Sequence, residues 1–296
     1  MDTGLCLGKP IEIFFWQAIT LGFEKAATYP CDFDLDKKPK KGGSMSRMIS
    51  QLDSVVVGVN DLAGATVDYA ALTGTRAQEG DFRGDSSVSF QLANTSLRLV
   101  ETAERQGLKQ LVFGCPDLDI ARHRLPNVGI EIADDASDDH FLVLKPETTR
   151  SVNLALTAAR DVELGVLPSR GVLSGLDHAV LTSGDGDFTS ALLSGRLQLD
   201  MRLDLTNENW DARLMFFRCG DLIVEVYQPL SKPLGPERDR FFGLSWRTDN
   251  IEATHSALTE RGFDVSEIRS GRRPGTRVCS VRDKTHGVPT LILCRD

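Results

Sequence analysis

Two residues in this chain have the chemistry and the setting to build a reaction centre. His178 lies in the alternating apolar run "GLDHAVLTS". Glu225 lies in a second such run, "FFRCGDLIVEVYQPL". An imidazole and a carboxylate on neighbouring strands are the donor types that a catalytic divalent metal takes from a protein. The same pair can also serve as a plain hydrogen-bonded couple, because a buried charge needs a partner in either case. Two protein donors are few for a metal, since a catalytic zinc usually has three and an open position.

Alternation assigns the strand faces. His178, Val180 and Thr182 share one face of their strand, and Ala179 and Leu181 the other. With a two-residue turn at Gly220 and Asp221, Phe216, Arg218, Ile223, Glu225 and Tyr227 lie together. Met215, Phe217, Leu222, Val224 and Val226 make a wholly apolar opposite face. The charges therefore gather on one side, and a longer turn would re-aim Arg218.

These strands belong to a repeat. Four similar units follow one another, each with an alternating strand, a short Ala-rich helix headed by Asp or Asn, and three more strands. The first runs from "LDSVVVGV" through a helix capped by Asn60 or Asp61 and stopped at Gly74, to the hairpin "SSVSFQLANTSLRLVE". The second, from "LKQLVFGC" through "PDLDIARHRL" and "NVGIEIA" to "SVNLALTAA", is the least regular. The third carries His178, with "DFTSALLSG" as helix. The fourth has "FFGLSWRT", a helix capped by Asp249 or Asn250, and "DVSEIRS", "TRVCSVRD" and "VPTLILC" as strands. The stretch "DVELGVLPSRGVLSG" divides the pairs.

This arrangement, with "LDHAVL" and "LIVEVYQP" as first and last strands, resembles the vicinal oxygen chelate superfamily, the group of glyoxalase I, bleomycin resistance proteins and extradiol dioxygenases. The wording "NWDARLMFFRCGDLIVEV" also resembles bacterial glyoxalase-like proteins. The resemblance covers residues 50–296 and is weakest in the second unit. It implies an α+β fold of four βαβββ modules, paired into two cupped mixed sheets with helices outside. It also implies that His178 points into a cup with Glu225, as metal ligands.

The expected organisation is an extension over residues 1–47, a structural module pair over 50–165 and a site-bearing pair over 172–296. The resemblance implies a small-molecule enzyme of glyoxalase or dioxygenase type, using a divalent metal (Fe, Mn, Zn or Ni), with Glu225 as the catalytic carboxylate. Arg218, Tyr227, Gly243, Ser245 and Arg247 form the expected substrate-binding set. The competing class is a metal-free protein that binds or sequesters a small molecule. Against the family pattern, Gly243 stands where a histidine is common, and Thr290 or Leu291 where a glutamate is common. In the first pair, Ser54, Arg98 and Gln110 replace ligands, so no metal is expected there. Arg98 could bind an anion or cap a filled cavity.

Other candidates have weaker signals. His286, in a loop before the last strand, could reach over the cup or stay exposed. His123 and His255 read as solvated helix faces. Arg218, Arg247, Arg272 and Arg273 form a possible anion-binding set, given the planar fork of arginine. Trp210 could gate the cup or pack at its edge. No nucleophile elbow, phosphate loop or dinucleotide fingerprint is present.

The 296 residues carry 34 basic and 42 acidic side chains, a net charge of −8, which argues against nucleic acid as the main partner. Apolar content of 41% and charge of 26% suit a soluble globular chain, expected in the cytoplasm. Its six scattered cysteines read as free thiols in a reducing compartment. No apolar run approaches membrane-spanning length. A small molecule is the expected partner, and a homodimer is left open. "IEIFFWQAITLGF" makes a poor signal peptide. The native start is expected at Met45 or Met48, the alternative being an N-terminal arm packed on the body.

Overall fold

The computed structural model of the chain describes residues 47–160, 173–231 and 238–295. The expected extension over 1–47 and the expected divider after Arg160 lie almost wholly outside them.

The first module is β1 (Gln51–Val59), α1 (Leu62–Thr73), β2 (Gln78–Phe82), β3 (Asp85–Gln91) and β4 (Ser96–Glu101). The helix starts where Asp61 Oδ1 accepts from Gly64 N and stops where Gly74 turns left-handed at φ 68°, a conformation that glycine adopts without a Cβ clash. The second module is β5 (Gly107–Cys115), α2 (Leu118–Asn127), β6 (Phe141–Val143) and β7 (Leu154–Ala158). Its expected strand "NVGIEIA" contributes only the bridge Ile132–Leu144. The polar, acidic run after it folds as a short 3-10 turn, Asp134–Ala136, and offers little apolar surface to a ladder.

The third module is β8 (Gly175–Thr182), α3 (Gly186–Ser190) continued by a π turn (Ala191–Arg196), β9 (Asp200–Asn207), β10 (Ala212–Cys219) and β11 (Leu222–Pro229). The fourth is β12 (Arg240–Arg247), α4 (Ile251–Glu260), β13 (Arg269–Ser270), β14 (Thr276–Val281) and β15 (Thr290–Arg295). Asn250 caps α4 by accepting from Ala253 N at 2.9 Å.

Two mixed sheets result, in the orders β2-β3-β4-β1-β5-β7-β6 and β13-β14-β15-β12-β8-β11-β10-β9. In every module the first and last strands pair in parallel, and the first strands of paired modules run antiparallel, β1 with β5 and β8 with β12. The helices cover one face of each sheet, and one continuous buried cluster on that side runs through both halves. The halves are also tied by hydrogen bonds. Tyr69 donates to the Thr285 carbonyl at 2.9 Å. The Arg150 fork grips Asp239, whose side chain is fully buried, at 3.0 and 3.1 Å. Among the described residues, no helix is long and apolar enough to cross a membrane.

Candidate functional site in the second cup

The hairpin β10–β11 has the two-residue turn: Cys219 pairs with Leu222, Arg218 with Ile223, and Phe216 with Glu225. Met215, Phe217, Leu222, Val224 and Val226 all enter the buried core. Glu225 therefore faces away from the helices, into the cup. On β8, the parallel ladder sets His178 against Ile223 and Val180 against Glu225. This places His178 Nε2 3.3 Å from Glu225 Oε2, with both side chains about 15% exposed.

A β-bulge completes the arrangement. Ser245 pairs with His178, but the next residue, Trp246, pairs with Leu176, so Asp177 is the extra residue of β8. A bulge re-aims side chains locally. Leu176 turns into the core with Ala179 and Leu181, and Asp177 comes alongside His178. His178 Nδ1 donates to Asp177 Oδ1 at 2.9 Å. Asp177 Oδ2 accepts from Arg247 Nε at 3.1 Å and Arg295 Nη2 at 2.9 Å. Arg247 in turn donates to the Asp221 carboxylate at 2.9 Å and to its carbonyl. Asn94, from the first half, donates to Asp221 at 3.1 Å and to the Leu176 carbonyl at 2.8 Å.

The charges follow from these contacts. Burial would lower the His178 pKa, but the Asp177 hydrogen bond and the Glu225 and Asp177 charges outweigh it, holding the imidazolium above its usual range. Burial would raise the Asp177 pKa, but its bond to His178 and the charges of His178, Arg295 and Arg247 hold it well below the usual carboxylate range.

The register also locates the two remaining positions that the resemblance implies as ligand positions. The pairs His178–Ser245 and Val180–Gly243 are related by the two-fold of the antiparallel pair, so Gly243 is the counterpart of His178. Leu291, paired with Ser245, is the counterpart of Glu225, which pairs with Val180. Neither can donate to a metal. The Pro289 carbonyl accepts from Leu244 N at 3.0 Å and so lies directly over Gly243. A Cβ at Gly243 would clash with that oxygen. Asp177 is a second acid nearby, but it sits behind the histidine with both oxygens engaged. Among the described residues, no group of three His, Cys, Asp or Glu side chains converges on one point. The donor set is thus two residues, short of the three that a catalytic metal usually takes.

The other expected site residues divide. Ser245 lies beside His178, fully buried, and its hydroxyl has no hydrogen-bond partner among the described residues. Arg218 folds back to donate to the Gly220 carbonyl at 3.1 Å. Arg247 braces Asp177 and Asp221. Tyr227 is buried among Ala212, Leu214, Trp210 and Phe216. The Arg272 guanidinium lies over the Trp210 ring, 5.6 Å from its centroid, so the loop of the fourth module meets the third module at the rim. His286 does not reach the cup: it sits 3.0 Å from Asp68 and 3.4 Å from Gln106, both in the first half. His255 is half-buried, with Nε2 3.1 Å from the Ser266 carbonyl, rather than solvated.

Asp177, Arg295, Asp221 and Asn94 complete the network but are not among the site residues that type and spacing single out. A signal existed for the first of these. The pair Leu-Asp recurs as Leu52-Asp53 and Leu176-Asp177, and β1 has the same bulge at Asp53. Asp53 also takes an arginine from beyond the last strand of its half, Arg160, at 2.6 Å.

Comparison with known proteins bears on the fold. No family model and no curated protein sequence matches the chain. Solved structures do. A variant of 4-hydroxymandelate synthase from Streptomyces coelicolor matches with a TM-score of 0.64 at 13% identity, over 84% of this chain and 93% of that one. The 2,3-dioxygenase LapB from Pseudomonas sp. KL28 matches with 0.64 at 12% identity, over 84% and 93%. The Mn(II)-bound glyoxalase from Novosphingobium aromaticivorans matches with 0.61 at 13% identity, over 83% and 82%.

Proposed function

We propose, for a chain that has the vicinal oxygen chelate fold, that the second cup is a small-molecule binding site working without a three-donor metal centre. The observation that carries this reading is the chain Asp177–His178–Glu225 facing Gly243 and Leu291. Two of the four positions from which such a cup draws ligands are a glycine sealed by a carbonyl and a leucine. What the cup retains is a polar spot for hydrogen bonding. Glu225 accepts, an imidazolium braced from behind faces it at 3.3 Å, and beside them the buried Ser245 hydroxyl has no partner among the described residues. Around that spot, Tyr227, Phe216 and Trp210 supply apolar surface. A compact organic molecule with one or two oxygens and an apolar body fits that distribution.

A second reading rests on a specific observation. His178 Nε2 and Glu225 Oε2 converge at 3.3 Å on adjacent strands, the disposition of two ligands awaiting a metal, and one structural match is an Mn(II)-bound glyoxalase. In that reading His178 and Glu225 hold a divalent metal, and the protein is an enzyme of glyoxalase or dioxygenase type.

Melting temperatures of the full chain against a library of small oxygenated organic compounds, with and without EDTA, test the first reading. A hit that survives EDTA and is lost in His178→Ala and Glu225→Gln supports it. Hits that appear only after metal loading overturn it in favour of the second.

A further inference from the structure

The first cup repeats the geometry of the second with its charge inverted. Arg98 pairs with Val56 on the parallel ladder β4–β1, as Glu225 pairs with Val180 on β11–β8. Gln110 pairs with Val56 across β5–β1, as Gly243 pairs with Val180. An arginine and an amide thus stand at the two places from which cup side chains converge.

Arg98 is a poorly compensated cation. Its guanidinium lies 4.7 Å from the centroid of the Phe82 ring. Nη1 donates to Ser87 Oγ at 3.4 Å, the long end of a hydrogen bond. Nε is buried with no partner among the described residues. The nearby carboxylate, Asp53, is taken by Arg160 at 2.6 Å. Arg98 is partly buried, and a cation drawn partly out of water gains from a further counter-charge. Beside it, Val56, Val112 and Ala155 form a buried apolar cluster, with Phe82 and Phe141 packed on it edge to face at 5.7 Å and the Arg83 guanidinium over the Phe141 ring, 5.2 Å from its centroid.

We propose that the first cup binds a small carboxylate with an apolar body, its carboxylate held by the Arg98 fork and its body against the Phe82–Phe141 wall. Gln110, across β1, brings an amide to the same face. Burial pulls the Arg98 pKa down; Asp53 offsets this and Arg160 adds to it. A bound anion supplies the charge that the fold leaves out. The bidentate match of guanidinium to carboxylate gives direction, and the apolar wall selects an organic acid over inorganic phosphate. The site lies in the other sheet from His178 and does not depend on what occupies the second cup.

The test is calorimetric titration of the full chain with benzoate, benzamide and inorganic phosphate, beside Arg98→Leu and Glu225→Gln. The expected result is saturable benzoate binding, weaker by at least about tenfold for benzamide, which has the shape without the charge. Arg98→Leu should lose benzoate by a similar factor, and Glu225→Gln should keep it. Equal binding of benzoate and benzamide by the unmodified chain would overturn the proposal, and this comparison needs no variant to fold. Benzoate affinity unchanged in Arg98→Leu, phosphate bound more tightly than benzoate, or no benzoate binding at all would each do the same.

Discussion

Asp177 and His178 are adjacent in the chain, yet their side chains are hydrogen-bonded to each other at 2.9 Å. Consecutive residues of a regular strand point to opposite faces. The bulge at Asp177 removes that opposition, and it makes the carboxylate the brace of the histidine. Asp177→Asn keeps the shape and removes the charge that Arg247, Arg295 and His178 share. Uncoupling a buried ion pair in this way should cost about 3 kcal/mol, read as a lower denaturant midpoint at unchanged slope.

The pH dependence has two limbs. His178 has a raised pKa in the fold, so the stability it confers is full below about pH 6.5 and is lost as pH rises through the shifted value. Asp177 has a lowered pKa, so its contribution is full above about pH 4 and is lost as pH falls through its folded value. NMR titration of the metal-free protein should put the His178 ring above its ordinary pKa, and Asp177→Asn should bring it down. A ring that titrates at the ordinary value in both proteins would show that the brace carries no charge coupling.

Gly243→Ala should destabilise the chain by about 1–3 kcal/mol. The new Cβ would meet the Pro289 carbonyl, which is fixed by its hydrogen bond from Leu244 and cannot swing away as a side chain could. Gly243→His should fail to create a metal site for the same reason. Denaturant melts and metal titration of the two variants check both statements.

Ser245→Ala should leave stability unchanged or raise it by about 1 kcal/mol, because it removes a buried hydroxyl that has no partner among the described residues. If the hydroxyl serves a ligand in the second cup, the same variant should bind that ligand more weakly. Stability and affinity should then move in opposite directions, which a purely structural serine would not produce.

Much of this was legible in the chain because it depends on local chemistry. Helix caps at Asn60 or Asp61 and at Asp249 or Asn250, the stop at Gly74, and the apolar face from Met215 to Val226 follow from residue type and period two; the structure selects Asp61 and Asn250 and sets the two-residue turn at Gly220 and Asp221. The absence of a donor at Gly243 was also legible, although the carbonyl that seals it was not, since Pro289 is remote in sequence. Asp177 was hidden by its bulge: alternation puts it on the helix side, where a charge would make no sense. His286 looked able to reach the cup, but its partners Asp68 and Gln106 lie some two hundred residues away in sequence, and only the packing of the halves brings them together. The four free cysteines among the described residues, Cys115, Cys219, Cys279 and Cys294, are buried, consistent with their scattered spacing.

On the proposed reading, the second cup keeps a histidine–glutamate pair without the rest of a metal centre. Elemental analysis of untagged protein, purified and then reloaded with Fe(II), Mn(II), Zn(II) or Ni(II), tests it most directly, with His178→Ala and Glu225→Gln alongside. Metal should stay well below one equivalent per chain, be removed by gel filtration and be unchanged in the variants. Close to one equivalent per chain, retained through gel filtration and lost in both variants, would contradict it and make the chain a metalloprotein.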